Sequence, residues 1–237
     1  MGPSDTIPVV HVVHSATVAD NCLVRNDWVC PLYWQTRSDQ LLEALREHLV
    51  LTLSALALGV LLALPLALVA HRLRRTRGPA LGVTTVIYTI PSLALFFLLV
   101  PMLGLTAATV VTGLALYSLT ILLRNVLAGL DAVDPEVREA AAGMGYGRLR
   151  MLWSVEAPLA LPAAMAGLRV AAVSTVALAT VGTVVGHGGL GDLISRGQRA
   201  NFHAEVLTAS ALCVALAVVL DLLLLAVQRA ATPWRRR

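Results

Sequence analysis

The stretch Glu136–Pro162, EVREAAAGMGYGRLRMLWSVEAPLALP, is charged, helix-compatible at both ends and broken by Gly143, Gly145 and Gly147, and long apolar runs lie beyond it on both sides. A polar insert in that setting reads as a connection between membrane spans, because backbone in hydrocarbon must satisfy its own hydrogen bonds and can turn only where water or protein takes them over. Asp134 is placed to cap a short helix, Pro135 sits in its first turn, and Glu136 and Glu139 complement its positive end. The glycines stop that helix. Arg148–Glu156 is expected to resume as a second amphipathic helix with Leu149, Leu152 and Trp153 on one side, before Pro158 and Pro162 introduce the next span. A helix, a glycine elbow and a helix suit a knob that enters a groove on a partner, and equally a plain loop lying on lipid headgroups.

Working outward, the chain has 237 residues, 57% of them hydrophobic and 14% charged, with a mean hydropathy of +0.77. Soluble domains carry about 25% charged residues, so the fold class is all-α, a polytopic membrane protein. A bilayer core about 30 Å thick takes about 20 apolar helical residues per crossing. Five spans are expected, over residues 47–71, 80–101, 105–127, 158–183 and 205–229, with the insert, 134–156, between the third and fourth. The uncharged run Gly78–Leu123 is too long for one crossing and is divided by the Pro and Gly turn of Val100–Thr106. Residues 1–40 precede this membrane domain, 41–234, and 235–237 form a basic tail. No uninterrupted apolar run in the first forty residues suits a cleaved signal peptide.

Every one of the 18 basic residues is arginine. Without lysine there is no Walker A phosphate loop and no Schiff-base chemistry, so any ATPase must be another polypeptide. The pI near 9.4 reflects arginines beside span ends, which anchor at a membrane surface rather than bind nucleic acid. Arg72, Arg74, Arg75 and Arg77, then Arg124, Arg138, Arg148 and Arg150, then Arg229, Arg235, Arg236 and Arg237 fall on one side; Arg25, Arg37, Arg46, Arg196 and Arg199 fall on the other. The positive-inside rule places the N-terminus outside, the C-terminus in the cytoplasm and the insert in the cytoplasm. Cys22 and Cys30 would then face an oxidising exterior, as a local disulfide or as two thiols in a loose tail. Cys213 reads as apolar packing, and His11 and His14 lie in an extended stretch unsuited to a metal site. No catalytic or metal-ligand constellation is present in the sequence, so neither a cofactor nor an enzymatic activity is expected.

The residues of the insert carry a resemblance. Glu139-Ala140-Ala141, Gly145, Val155 and Pro158 stand at the spacing of the EAA signature of ABC importer permeases, with Ala157 where leucine is usual. YTIPSLALFFLLVP at Tyr88–Pro101, ILLRNVLAGLDAVDPEVREAA at Ile121–Ala141, GHGGLGDLISRGQ at Gly186–Gln198 and LDLLLLAVQRAATPW at Leu220–Trp234 resemble permeases for osmoprotectants such as glycine betaine, carnitine and choline. His187, where relatives usually carry alanine, departs. The resemblance runs from about Leu41 to Trp234 and leaves residues 1–40 uncovered. It implies the type I ABC importer permease fold of the methionine-permease kind in a bacterial cell membrane. It also implies an ATP-binding subunit bound at Glu139, Ala140, Ala141, Gly143, Gly145 and Arg148, an extracytoplasmic substrate-binding protein, and a second permease copy or paralogue.

Within the spans, Thr85, Tyr88, Thr89 and Ser92 recur at three- and four-residue steps around Pro91, a hydroxyl stripe that is expected to line a translocation path, with Tyr117 and Ser118 joining it. The alternative is hydroxyls bonded back to their own helix. Arg169 and Asp221 are the charges deep within spans, and each needs a partner: the other, or headgroups for the arginine and water or backbone donors for the aspartate. GHGGLGDLISRG lacks a lysine and follows a span, so it reads as a flexible loop and short helix rather than a nucleotide loop. The reading that results is a permease subunit of an ATP-driven osmoprotectant importer. Its rivals are a permease of the same superfamily for methionine or another amino acid, a secondary transporter working without ATP, for which inverted repeats are lacking, and a membrane scaffold.

Overall fold

A computed structural model describes residues 21–236. The elements are α1 (Pro31–Thr36), α2 (Ser38–Arg72), α3 (Arg74–Thr89), α4 (Ser92–Leu103), α5 (Ala107–Asp131), α6 (Pro135–Gly143), α7 (Arg148–Met151), a π-helical turn (Leu152–Glu156), α8 (Ala157–Ala179), a 3₁₀ turn (Thr180–Val185), α9 (Leu190–Arg199), α10 (His203–Ala231) and a last 3₁₀ turn (Pro233–Arg236). Among the described residues, four continuous helical runs are long and apolar enough to cross a membrane: Ser38–Arg72, Ala107–Asp131, Arg148–Val185 and His203–Ala231. The fifth crossing, expected over 80–101, is instead the pair α3 and α4, bent by 101°. Pro91 has no N–H to continue a helix and holds the preceding residue extended, and Ile90 lies at φ −66°, ψ 128°. The carbonyl freed at Ile90 accepts the Tyr117 hydroxyl, so the break is satisfied inside the protein.

α5 is the axis of the bundle. Two thirds (67%) of its apolar window is buried, against 6% for α10. Its buried residues run from Val110 and Leu114 through Leu119, Leu122 and Leu123 to Val126, Leu127 and Leu130, meeting α2 and α8 along the way. α2 offers α5 a row of small residues at steps of four, Ala55, Gly59, Ala63 and Ala67, all buried. Lipid exerts no hydrophobic squeeze on helices, so close backbone approach through small residues is what holds spans together. A Cβ on Gly59 would collide with Ser118 Oγ.

Two ends of the bundle can be named from their contents. At the insert end, Arg77 of α3 pairs with Asp131 of α5. At the other, Cys22 and Cys30 form a disulfide with a Cα–Cα distance of 5.5 Å, so residues 21–37 are a folded cap and not a loose tail. His11 and His14 lie outside the described residues. The glycine loop before α9, expected to be flexible, is clamped: Gly189 has φ +56°, and a Cβ there would fall 2.7 Å from the His48 amide nitrogen. His48, fully buried, has Nε2 3.0 Å from the Val176 carbonyl and Nδ1 3.2 Å from that of Gly188. His187 Nδ1 lies 3.3 Å from Glu47 Oε1.

Candidate functional site

The insert begins as its residues dictate. Asp134 Oδ1 accepts the Glu136 amide at 2.9 Å, and Pro135 opens α6. Its end is a Schellman arrangement around Gly145 at φ +82°: the Gly145 amide donates to the Ala142 carbonyl at 2.9 Å and the Tyr146 amide to that of Ala141 at 3.1 Å. Gly143, Gly145 and Gly147 have nothing within 4 Å of where a Cβ would stand. It is therefore the positive φ at Gly145, not crowding, that calls for glycine. Ala141 is the buried residue of α6, while Glu139, Ala140, Gly143, Met144, Gly145 and Arg148 are exposed, Met144 at 70%. Arg150 sits 4.3 Å above the Tyr146 ring.

The second amphipathic helix is not a separate element. Arg148–Val185 is one helical run, and the π turn Leu152–Glu156 takes up an extra residue within it. Pro158 stands inside this run, directly after the π turn, and gives up the N–H that would bond back into it. Leu149 and Trp153 are exposed at 61% each while Leu152 is buried in the core, so the three do not share one face.

Around Pro91 the hydroxyls are bonded locally. Thr85 donates to the Leu81 carbonyl at 2.6 Å and Thr89 to that of Val86 at 2.7 Å. Thr85 Oγ1 also accepts Arg124 Nη2 at 2.8 Å. Tyr88 is 46% exposed and meets the Tyr117 ring edge-on, centroids 5.6 Å apart. Ser92 is half-buried, Tyr117 is buried with its hydroxyl on Ile90, and Ser118 lies beneath α2, donating to the Ala115 carbonyl at 2.9 Å. Thr85, Tyr88, Thr89 and Ser92 thus remain a partly open strip at the break, with Tyr117 as its support.

Arg169 of α8 and Asp221 of α10 meet side-on, Nε to Oδ1 at 2.8 Å and Nη2 to Oδ2 at 2.7 Å. At the insert end lies a further cluster that the sequence pattern did not single out. Glu156, 8% exposed, holds Arg138 Nε 2.9 Å from Oε1 and His71 Nε2 3.3 Å from Oε2. A cleft of about 790 Å³ opens beside it, with Arg72, Arg148 and Leu149 in its walls. The signal available was Glu156 itself, the lone acid between Glu139 and Asp192, standing at the mouth of an apolar span.

The model of the family described as "Binding-protein-dependent transport system inner membrane component" matches residues 55–237. The chain belongs to that family. The permease is 35% identical over 206 residues to the glycine betaine/carnitine/choline transport system permease protein OpuCD of Bacillus subtilis (strain 168), covering 86% of this chain and 90% of the relative. It is 35% identical over 192 residues to the osmoprotectant import permease protein OsmW of Salmonella typhimurium, covering 79% and 89%. The structure of the MetNI methionine ABC transporter in an inward-facing conformation matches with a TM-score of 0.72 at 22% identity, over 85% of this chain and 98% of that one. An amino acid ABC transporter matches with a TM-score of 0.71 at 22% identity, over 84% and 97%. The fold is that of type I ABC importer permeases, and the chain is a multi-pass transport subunit.

Proposed function

We propose that this permease forms the membrane path of an ATP-driven importer for osmoprotectants of the quaternary-ammonium kind. The observation that carries the reading is the identity of about a third, over most of both chains, to permeases named for glycine betaine, carnitine and choline. The partly exposed Tyr88, backed by Tyr117 at the break, offers such a cation the face of an aromatic ring. Thr85, Thr89 and Ser92 line the same strip.

In this reading the insert end is cytoplasmic, as is the C-terminus, and the N-terminus is outside, consistent with twelve arginines at the insert end against five at the other. A separate ATP-binding subunit, the ATPase of the complex, docks on Glu139, Ala140, Ala141, Gly143, Gly145 and Arg148. The disulfide end meets an extracytoplasmic substrate-binding protein. The described residues give four long spans and a broken fifth, too few to enclose a path alone, so a second copy or a paralogue completes it around a two-fold axis. Residues 41–234 form the membrane domain, with 1–40 outside.

Uptake of radiolabelled glycine betaine into proteoliposomes holding the permease, the ATP-binding subunit and the binding protein tests this. Uptake is expected with ATP inside the cytoplasmic compartment and absent without it. Uptake of methionine in place of betaine, or uptake independent of ATP, overturns it.

A further inference from the structure

Glu156 is the buried carboxylate of the insert end, and a carboxylate there needs partners on both oxygens. The two partners come from different elements. Arg138 lies on α6, with Nε 2.9 Å from Oε1, and His71 lies on the last turn of α2, with Nε2 3.3 Å from Oε2. Arg138 also donates through Nη2 to the Leu130 carbonyl, near the end of α5, at 2.6 Å. One carboxylate and one guanidinium therefore join α2, α5, α6 and the run that becomes α8.

The rest of α6 is loosely held. Ala141 is its buried residue, and the elbow beyond it is open around all three glycines. A helix tethered in this way would swing about the elbow when pushed, unless a stiff link to the spans took up the force. The π turn supplies the aim of that link. An extra residue in a helix rotates the residues beyond it by about 100° at 3.6 residues per turn, and the turn ends at Glu156, with Leu152 buried one turn back to fix its rotation.

We propose that Glu156 is the positioning residue that links α6 to α2 and α8, so that displacement of α6 by the ATP-binding subunit moves the spans instead of flexing the elbow. The inference rests on the proposed docking of that subunit on α6. Glu156, 8% exposed, lies behind the docking surface, and Arg138, half-buried on α6, turns its guanidinium inward to Glu156 and the Leu130 carbonyl. Loss of the link therefore separates two quantities that a structural defect would lower together: ATP hydrolysis and cargo movement.

The test uses the full complex in proteoliposomes, with uptake and ATP hydrolysis measured on the same vesicles. Glu156→Gln keeps the size of the side chain and removes its charge. Expected is a fall in uptake of about tenfold, the scale of about 1.4 kcal/mol of lost coupling between paired charges, with hydrolysis within about twofold of wild type, so that ATP used per betaine imported rises. Arg138→Gln, which removes the other half of the pair, is expected to give the same ratio, and it serves as the test if Glu156→Gln does not assemble. Uptake and hydrolysis falling in parallel, both staying at wild-type levels, or neither variant assembling overturns the proposal. Failure of the underlying reading shows elsewhere, in a wild-type complex that lacks ATP-dependent uptake or does not retain the ATP-binding subunit.

Discussion

At the disulfide end, Asn26 closes a set of contacts that leave the turn before α10 no freedom. Its Nδ2 donates to the Asn201 carbonyl at 2.6 Å, its Oδ1 accepts the His203 amide at 2.9 Å, and its own carbonyl lies 3.1 Å from His203 Nδ1. Trp28 stacks on His203 at 4.2 Å, Trp34 donates to Thr208 at 2.8 Å, and the Cys22–Cys30 bond closes the loop. The burial of Tyr33 in this cap pushes its hydroxyl pKa up to about 12. At the insert end the connection is an exposed helix, an open elbow and a few charge pairs. One end is latched by many short-range contacts; the other is articulated, and depends on where a few charges point. In the proposed reading, in which an ATP-binding subunit drives the insert end, the rigid cap gives that end something to work against.

The largest break in this comparison is expected from Gly145→Val. A branched side chain at φ +82° costs about 1–3 kcal/mol of backbone strain, and the open surroundings mean that nothing else in the fold is disturbed. Uptake is expected to be lost while the spans stay inserted. Co-purification of the ATP-binding subunit with transport at the normal rate would show the elbow to be a surface loop.

Next comes the pair that belongs to neither end. Asp221→Asn leaves Arg169 without its carboxylate and is expected to lower both yield and thermal stability, whereas the exchange of Arg169 and Asp221 restores part of each. Thermal unfolding of the three proteins in one detergent measures this, and an exchange no better than the single variant speaks against the pair.

Opening the latch should be felt locally. Cys22→Ser removes a bond closing a loop of 8 residues' separation, worth about 2.5 kcal/mol in the chain-entropy view. Faster amide exchange is expected over residues 21–37 and 201–206, with uptake kept. Loss of uptake with unchanged exchange would mean that the cap acts directly in transport.

The smallest effect is expected from Glu139→Ala, which removes an exposed charge at the middle of α6, beyond the first turn where the helix dipole acts. Uptake should fall by a few fold and less than in Gly145→Val. A larger loss, with the ATP-binding subunit released from the complex, would make Glu139 a direct contact.

The features legible without the structure were those that depend on near neighbours in the chain. The apolar runs announced the spans, because burial in lipid is decided by composition over some twenty residues. Asp134-Pro135 and the glycines announced the start and stop of α6, because caps are completed within about five residues. Glu139 to Pro158 spoke to the family. Only the tertiary structure decided each matter of partnership across the chain. Pro91 told of a break, but the 101° bend and the Tyr117 hydroxyl that satisfies it depend on a helix 27 residues away. Cys22 and Cys30 read equally well as thiols until the cap brought their Cα atoms to 5.5 Å. Arg169 could have turned to the headgroups and instead met Asp221. Glu156 reads in the sequence as one acid at the edge of an oily run. It is an ion-pair centre because a π turn points it at α2 and α6, and distance and direction between elements are properties that no local pattern encodes.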